Sequence, residues 1–268
     1  MNKEDLVSVI MPTYNAGKYL ADSINSILNQ SYKNLELLIT DDASTDPTTL
    51  QLLQEFASKD NRVDILYLKE NHGAGFARNQ SIERAKGRYI AFCDSDDRWT
   101  TDKLEKQIAF MNKKKCALSC ASYIIFDGET QNEIGFCTAP KKITYGMMKR
   151  DNKVGCLTAI YDVQMLGRKF FMPTIRKRQD WALFLQIIRE CKVCYAYPEK
   201  PLAYYCMRRN SISSNKISLM KYNIAVYKEI LGFHPIKANL YFFTLFLPTY
   251  GAKILKRKFD SYTFTHKK

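Results

Sequence analysis

Apolar residues along the first hundred positions fall into short dense runs separated by amphipathic stretches. Leu6-Val7-Ser8-Val9-Ile10-Met11, Leu35-Glu36-Leu37-Leu38-Ile39-Thr40, Val63-Asp64-Ile65-Leu66-Tyr67-Leu68 and Tyr89-Ile90-Ala91-Phe92-Cys93 have the length and content of buried strands, the first stopped by Pro12. Between the first two runs Leu20, Ile24, Ile27 and Leu28 recur at helical spacing. Between the next two, Leu50, Leu53 and Phe56 do the same, after an Asp46 cap and Pro47 in the first turn. Asn71-His72-Gly73-Ala74-Gly75 opens a third helix. Alternation of this kind predicts an α/β fold with a mostly parallel, Rossmann-like central sheet flanked by helices.

Each strand delivers a polar loop to one sheet edge: Pro12 to Asn15, Asp41 to Asp46, Asn71 to Gly75, and Asp94 to Asp97. Open α/β sheets bind ligands at that edge. Asp94-Ser95-Asp96-Asp97 puts three carboxylates in four residues. It fits either a magnesium or manganese site shared with a diphosphate, or an acidic turn before the helix that starts near Thr100-Thr101-Asp102. Four converging loops favour a nucleotide pocket, with an aromatic for the base and a Gly-rich helix start for phosphate. A dinucleotide fingerprint is excluded, because Gly73-Ala74-Gly75 follows the third strand and Arg78 stands where its third glycine would be.

Past Phe110 the pattern changes. Ala117 to Phe126 predicts an antiparallel strand turning at Asp127-Gly128, and residues 141 to 153 a basic loop with a short helix. Asp180-Trp181 precedes an amphipathic helix with Leu183, Phe184, Ile187 and Ile188 inward; Asp180 suits either a general base or that helix's N-cap. Three segments follow: 1–110 with the four polar loops, 111–215 with a small antiparallel sheet and Asp180, and 216–268 as a helical tail.

The net charge of +14 is unevenly placed. Residues 1–140 hold 16 Lys and Arg against 20 Asp and Glu, and residues 141–268 hold 25 against 7. The second half is therefore expected to meet something anionic. Nucleic acid is disfavoured, because the acidic loops hold the pocket and the basic excess lies elsewhere. In the tail, Leu240 to Leu247 is apolar, but Pro248 interrupts it well short of the ~20 residues that span a bilayer. The basic Lys253 to Lys258 follows, so the tail suits an anionic membrane surface, or else packing on the domain or on a second copy in a homo-oligomer.

The N-terminus has no signal-peptide pattern, and Cys93 and Cys116 lie in apolar runs, so the eight cysteines read as reduced thiols of a cytoplasmic protein. Cys191-Lys192-Val193-Cys194 reads as a helix end entering a strand.

Val7 to Asn15, Asp41 to Asp46, Asn71-His72-Gly73 with Ala77-Arg78-Asn79, and Asp94 to Asp97 resemble, in order and spacing, the signatures of family 2 glycosyltransferases. The resemblance is nearest to bacterial members that build O-antigen, capsule or teichuronic acid. It implies the GT-A fold, inversion at the transferred sugar, a nucleotide-sugar donor, with UDP favoured, and Mn²⁺ or Mg²⁺. It also implies a glycan or polyprenyl-diphosphate-linked acceptor at the inner membrane face.

Carried over, Pro12, Tyr14 and Asn15 would frame base and ribose, and Asp42 would read the base. Residues 1–110 would bind the nucleotide-sugar and 111–215 the acceptor. Asn71, Gly73 and Ser95 would bind the donor nucleotide, and Arg78 would lie by the diphosphate or support the loop. Asp94 and Asp96 would form the metal motif, with Asp96 as the direct ligand and Asp94 as the ribose or water-mediated partner. Asp180 would be the general base, with Gln179 where an acidic residue is common. Tyr205-Cys206-Met207-Arg208 resembles a segment with arginine and histidine where Cys206 and Arg208 stand. Arginine cannot ligate a cation, so Arg208 is expected to clamp diphosphate, with Arg209 a lesser candidate. Singly, each residue has a plainer role: Tyr14 packing on the first helix, Asp41 or Asp42 in a turn, Asn79 tying a loop to backbone, and Asp97 orienting the metal shell or capping a helix. A non-catalytic nucleotide-sugar-binding or glycan-binding module is the alternative to an enzyme.

Overall fold

A computed structural model describes residues 5–208 and 216–266. The four apolar runs form β1 (Val7–Thr13), β2 (Leu35–Asp41), β3 (Val63–Tyr67) and β4 (Tyr89–Phe92), all mutually parallel in the order β3-β2-β1-β4. Between them run α1 (Leu20–Leu28), α2 (Pro47–Lys59) and α3 (Ala74–Arg84). Asp46 caps α2 by accepting from Thr49 N at 2.8 Å. Pro12 does not stop β1, which continues to Thr13 opposite Asp41. On its β4 side β1 pairs only from Val7 to Ile10, so the missing proline N–H breaks no ladder bond.

Downstream elements complete two sheets: β5 (Arg98–Trp99), α4 (Lys103–Lys114), β6 (Leu118–Ala121), β7 (Tyr123–Asp127), β8 (Glu133–Cys137), β9 (Lys142–Thr144), α5 (Tyr145–Arg150), β10 (Ile160–Asp162), α6 (Val163–Leu166), α7 (Gln179–Cys191), β11 (Val193–Tyr197) and β12 (Ala203–Met207). The main sheet continues from β4 through β10, β6 and β11 to β9 without a break at residue 110. β10 runs antiparallel to both neighbours, and β11 pairs parallel with β6. The expected single strand from Ala117 to Phe126 divides at Ser122, with β6 in the main sheet and β7 in the second. That second sheet, β5-β12-β7-β8, was expected to be antiparallel; two of its pairings are, but β12 and β7 run parallel.

Alternation along the strands fills a core on each face of the main sheet. Val7, Val9, Met11, Tyr89 and Ala91 face α1 and α4, while Ile10, Ile90 and Phe92 face α7 and the tail. The tail comprises α8 (Lys216–Ala225), a π turn (Val226–Ile230), α9 (Pro235–Tyr241), a second π turn (Phe242–Phe246) and α10 (Leu247–His266). Pro248 does not end the helix: it cannot donate to the preceding turn, and the wide turn lies immediately before it. Phe242 and Phe246 are buried in the main core beside Trp181. Further along, α10 crosses β8, where Phe264 stacks on Phe136 and Phe136 N donates to Ser261 Oγ at 3.0 Å. The tail's inner face is thus integral to the domain. Among the described residues, no helix is long and apolar enough to cross a membrane.

Candidate active site

The four parallel strands carry their loops to one edge, where the loops bind one another. Asn15, with a left-handed backbone (φ 45°), accepts at Oδ1 from Thr45 N at 2.8 Å and Asp46 N at 3.0 Å. Asp41 accepts from Ser44 N and Oγ. Asp42, buried, accepts from His72 N at 2.8 Å and Gly73 N at 2.7 Å, and Asn71 Nδ2 donates to its carbonyl. Gly73 (φ 89°) has open space where a Cβ would stand, so its need for glycine is conformational. Asp42 therefore fixes the entry to α3. Pro12 is buried at the end of β1, whereas Tyr14 is 52% exposed, as a ring offered to a ligand would be.

Asp94, Ser95 and Asp96 leave β4 together, partly exposed, and Asp97 turns inward. Arg78 on α3 donates from Nη2 to Asp94 Oδ1 at 2.5 Å, and Arg208, just beyond β12, pairs with Asp96 Oδ2 at 2.5 Å. The Arg208 guanidinium also lies 5.4 Å from the centre of the Tyr19 ring. Asp97 Oδ1 accepts from Cys206 N at 2.9 Å, tying β12 to the acidic loop. Burial and then Asp94 push Asp96 upward against the pull of Arg208. Asp97 lies well above the usual carboxylate range, through burial and its two acidic neighbours. Burial opposes the charge on Arg78, but Asp94 foremost, with Asp180 also contributing, keeps it protonated. Arg78 thus feels the acidic loop first and Asp180 more weakly.

Asp180 is not the N-cap of α7. Arg178 holds that position with φ 69° and makes no side-chain cap. The Asp180 carboxylate instead accepts at Oδ2 from Asn152 Nδ2 at 2.8 Å. Gln179 lies against Gly75, so the starts of α3 and α7 meet. Asn79 makes a two-way amide pair with the Met172 backbone, at 2.9 and 2.7 Å, and serves as a tie between segments. Arg209 and the Ser211–Ser213 stretch lie outside the described residues.

Two buried side-chain polar atoms lack a partner among the described residues, Thr13 Oγ1 and Arg78 Nε. Both belong to this edge, and burying a donor or acceptor unpaired is costly unless a ligand completes it. As for a cation, no cluster of three His, Cys, Asp or Glu side chains is present among the described residues. Asp94 and Asp96 still supply the pair of hard oxygen donors that magnesium or manganese uses with a diphosphate and water. The donor set fits, provided Arg208 yields Asp96 Oδ2.

Sequence reasoning missed Asn152 and its support. Lys253 of α10 donates to Asn152 O at 2.5 Å and pairs with Asp151 at 3.0 Å, beside Lys153 at 3.1 Å. The 141–153 stretch showed only a basic loop with a short helix, which is α5, and no spacing links it to residues 101 positions away.

The four parallel strands thus carry the Asp94 to Asp97 loop at the edge where open α/β sheets bind ligands. Residues 8–171 match the model of Glycosyl transferase family 2, and the chain belongs to that family. It is 43% identical over 238 residues, 89% of this chain and 93% of the relative, to a "putative teichuronic acid biosynthesis glycosyltransferase TuaG" of Bacillus subtilis. It is 38% identical, over 81% of this chain and 83% of the relative, to Escherichia coli WfgD, a "UDP-Glc:alpha-D-GlcNAc-diphosphoundecaprenol beta-1,3-glucosyltransferase". Its fold matches S. aureus TarS 1-349 in complex with UDP-GlcNAc, with a TM-score of 0.65 at 21% identity, covering 88% of this chain and 70% of that one. The chain spans 42% of the longer TarS chain. The protein is therefore a glycosyltransferase, with the mixed α/β fold and helical tail that its sequence patterns predicted.

Proposed function

We propose that the protein transfers a sugar from a UDP-linked donor to a hydroxyl of a lipid-linked glycan, with inversion. The observation that carries this reading is two Asp–Arg pairs at one sheet edge, Asp94 with Arg78 and Asp96 with Arg208, beside two buried polar atoms that lack a partner among the described residues. Two guanidinium groups held there suit an anionic nucleotide. In support, WfgD is named for a UDP-Glc donor and a diphosphoundecaprenol acceptor, and TarS is crystallised with UDP and UDP-GlcNAc.

In this reading Pro12, Tyr14 and Asn15 frame the base, and Asp42 sits behind it, its carboxylate already engaged with the α3 entry. Asn71, Gly73, Ser95, Arg78 and Arg208 surround the diphosphate. Asp96, with Asp94 beside it, would hold Mn²⁺ or Mg²⁺, which supplies positive charge at the leaving diphosphate. Mn²⁺ accompanies GDP-Man in the structure of a mannosyltransferase from Pyrobaculum calidifontis, with a TM-score of 0.62, 16% identity and coverage of 95% of this chain and 75% of that one.

Asp180 takes the proton from the acceptor hydroxyl as its oxygen bonds to the anomeric carbon. The bond from that carbon to the diphosphate oxygen breaks, and UDP leaves with the electron pair. Asn152 orients the Asp180 carboxylate. A lipid-linked acceptor lies at the bilayer, which makes the protein a peripheral enzyme of the inner membrane face.

The test is a thermal-shift and donor-hydrolysis panel of UDP-, GDP- and dTDP-sugars, with and without Mn²⁺, on wild type and Asp96→Ala. Stabilisation by UDP-sugars that needs both metal and Asp96 is expected. Equal response to all three nucleotides, or to none, contradicts the reading.

A further inference from the structure

From Pro235 to His266 the chain is one continuous helical rod, about 48 Å long at 1.5 Å per residue. Its two sides differ in partners, not in polarity. The inner side is the one already described: Phe242 and Phe246 in the core, Lys253 on Asp151, and Ser261 and Phe264 on β8. The outer side is apolar as well, and exposed. Ile236 (75%), Leu240, Phe243 and Leu247 follow one another at spacings of four, three and four. Leu255 (69%), Phe259 (67%) and Tyr262 resume at four and three. An exposed Leu or Phe is ordinary; seven large apolar side chains in one stripe are not.

Charge identifies what covers the stripe. Residues 235–266 carry five Lys and Arg against one acidic side chain, Asp260, which is already paired with Lys256 at 2.6 Å. Lys237, Lys256 and Lys258 are exposed. Pairing two copies along this stripe would set lysines against lysines with no exposed acid to answer them. An anionic bilayer satisfies both features, because the apolar side chains enter the acyl boundary and the ammonium groups remain at the headgroups.

We propose that the outer face of α9 and α10 is a docking surface for anionic phospholipid, on which the rod lies flat in the membrane interface. Lys253 leaves the rod on the side opposite Leu255 and holds the Asn152 loop that carries the bond to Asp180. Docking would set Asp180 behind the rod, whose diameter is about 10–12 Å, near acceptors anchored in the same bilayer. This deepens the membrane-side reading of the acceptor, but binding to lipid is measured without donor, acceptor or turnover, so the two fail separately.

The experiment is co-sedimentation of the full chain with phosphatidylglycerol-containing vesicles and with phosphatidylcholine vesicles, alongside sedimentation velocity without lipid. Wild type is expected to pellet with the anionic vesicles only. Leu255→Glu/Phe259→Glu is expected to weaken that partition at least about tenfold, with unchanged circular dichroism, because both side chains are exposed. Ile236→Glu/Leu240→Glu tests the same stripe from α9 should the first variant misfold. The proposal is overturned if wild type ignores anionic vesicles, or if both stripe variants bind them as wild type does. It is equally overturned if wild type is a dimer that these substitutions dissociate.

Discussion

Asn152 Nδ2 donates to Asp180 Oδ2 at 2.8 Å, and the backbone of Asn152 is itself held by Lys253 from the C-terminal helix. The carboxylate proposed as base is thus aimed by a loop residue that a distant helix secures. A hydrogen bond to a charged group contributes about 1.5–3 kcal/mol, so Asn152→Ala is expected to lower kcat by about 10- to 100-fold while leaving UDP affinity near wild type. Steady-state kinetics with calorimetric UDP titration checks this; a variant that loses UDP binding instead would place Asn152 in the donor pocket.

Arg208 occupies the same carboxylate that the metal reading needs. A guanidinium brings charge without ligation, so in the proposed reading it would compete with a cation at Asp96 in the absence of donor and turn to the diphosphate in its presence. Arg208→His, which supplies a ligating ring nitrogen, is expected to lower the Mn²⁺ concentration needed for half-maximal stabilisation of the UDP complex. Arg208→Ala is expected to weaken UDP by about tenfold, the loss of one charge-assisted contact. Unchanged metal and UDP titrations in both variants would remove Arg208 from the site.

Lys103 is fully buried, with its Nζ donating to Gln107 Oε1 at 3.1 Å and lying 4.2 Å from the centre of the Trp99 ring. Burial lowers its pKa from 10.5 to about 7. Between those values the unfolded chain binds a proton that the folded one does not, so this group makes stability rise with pH across the window. Below about 7 both states are protonated, and its contribution sits at the lower plateau. Lys103→Met is expected to raise stability near neutral pH by about 1–4 kcal/mol and to flatten the rise between roughly pH 7 and 10. Urea denaturation at several pH values measures both, and a destabilised variant with the same slope would contradict it.

The parallel half of the fold was legible because β1, β2 and β4 are buried on both faces and so write continuous apolar runs, as in Val7 to Met11, while the edge strand β3, only partly buried, still keeps Val63, Ile65 and Leu66. β5 and β9, of two and three residues, are too short to show a period. The split at Ser122 was hidden because β6 and β7 are both apolar and differ only in which sheet each joins. At the site, a turn role was foreseen for Asp42, though not its bonds to His72 N and Gly73 N or those of Asn15 to Thr45 N and Asp46 N, and Asp94, Asp96 and Asp180 were singled out through a family pattern. Asn152 and Lys253 were not, because a polar side chain's partner depends on tertiary placement that leaves no local periodicity. The tail was ambiguous for a physical reason: both of its faces are apolar, and only packing shows which one the domain keeps.

The central claim is that Asp180 removes the acceptor proton in a UDP-sugar-dependent transfer. The most direct measurement compares wild type with Asp180→Asn, following UDP release in the presence of a lipid-linked acceptor and UDP affinity by calorimetry. A base that acts in the transition state predicts unchanged UDP affinity and a kcat lower by about 10²- to 10⁴-fold. Turnover of Asp180→Asn at the wild-type rate, with UDP bound equally well, would contradict the account.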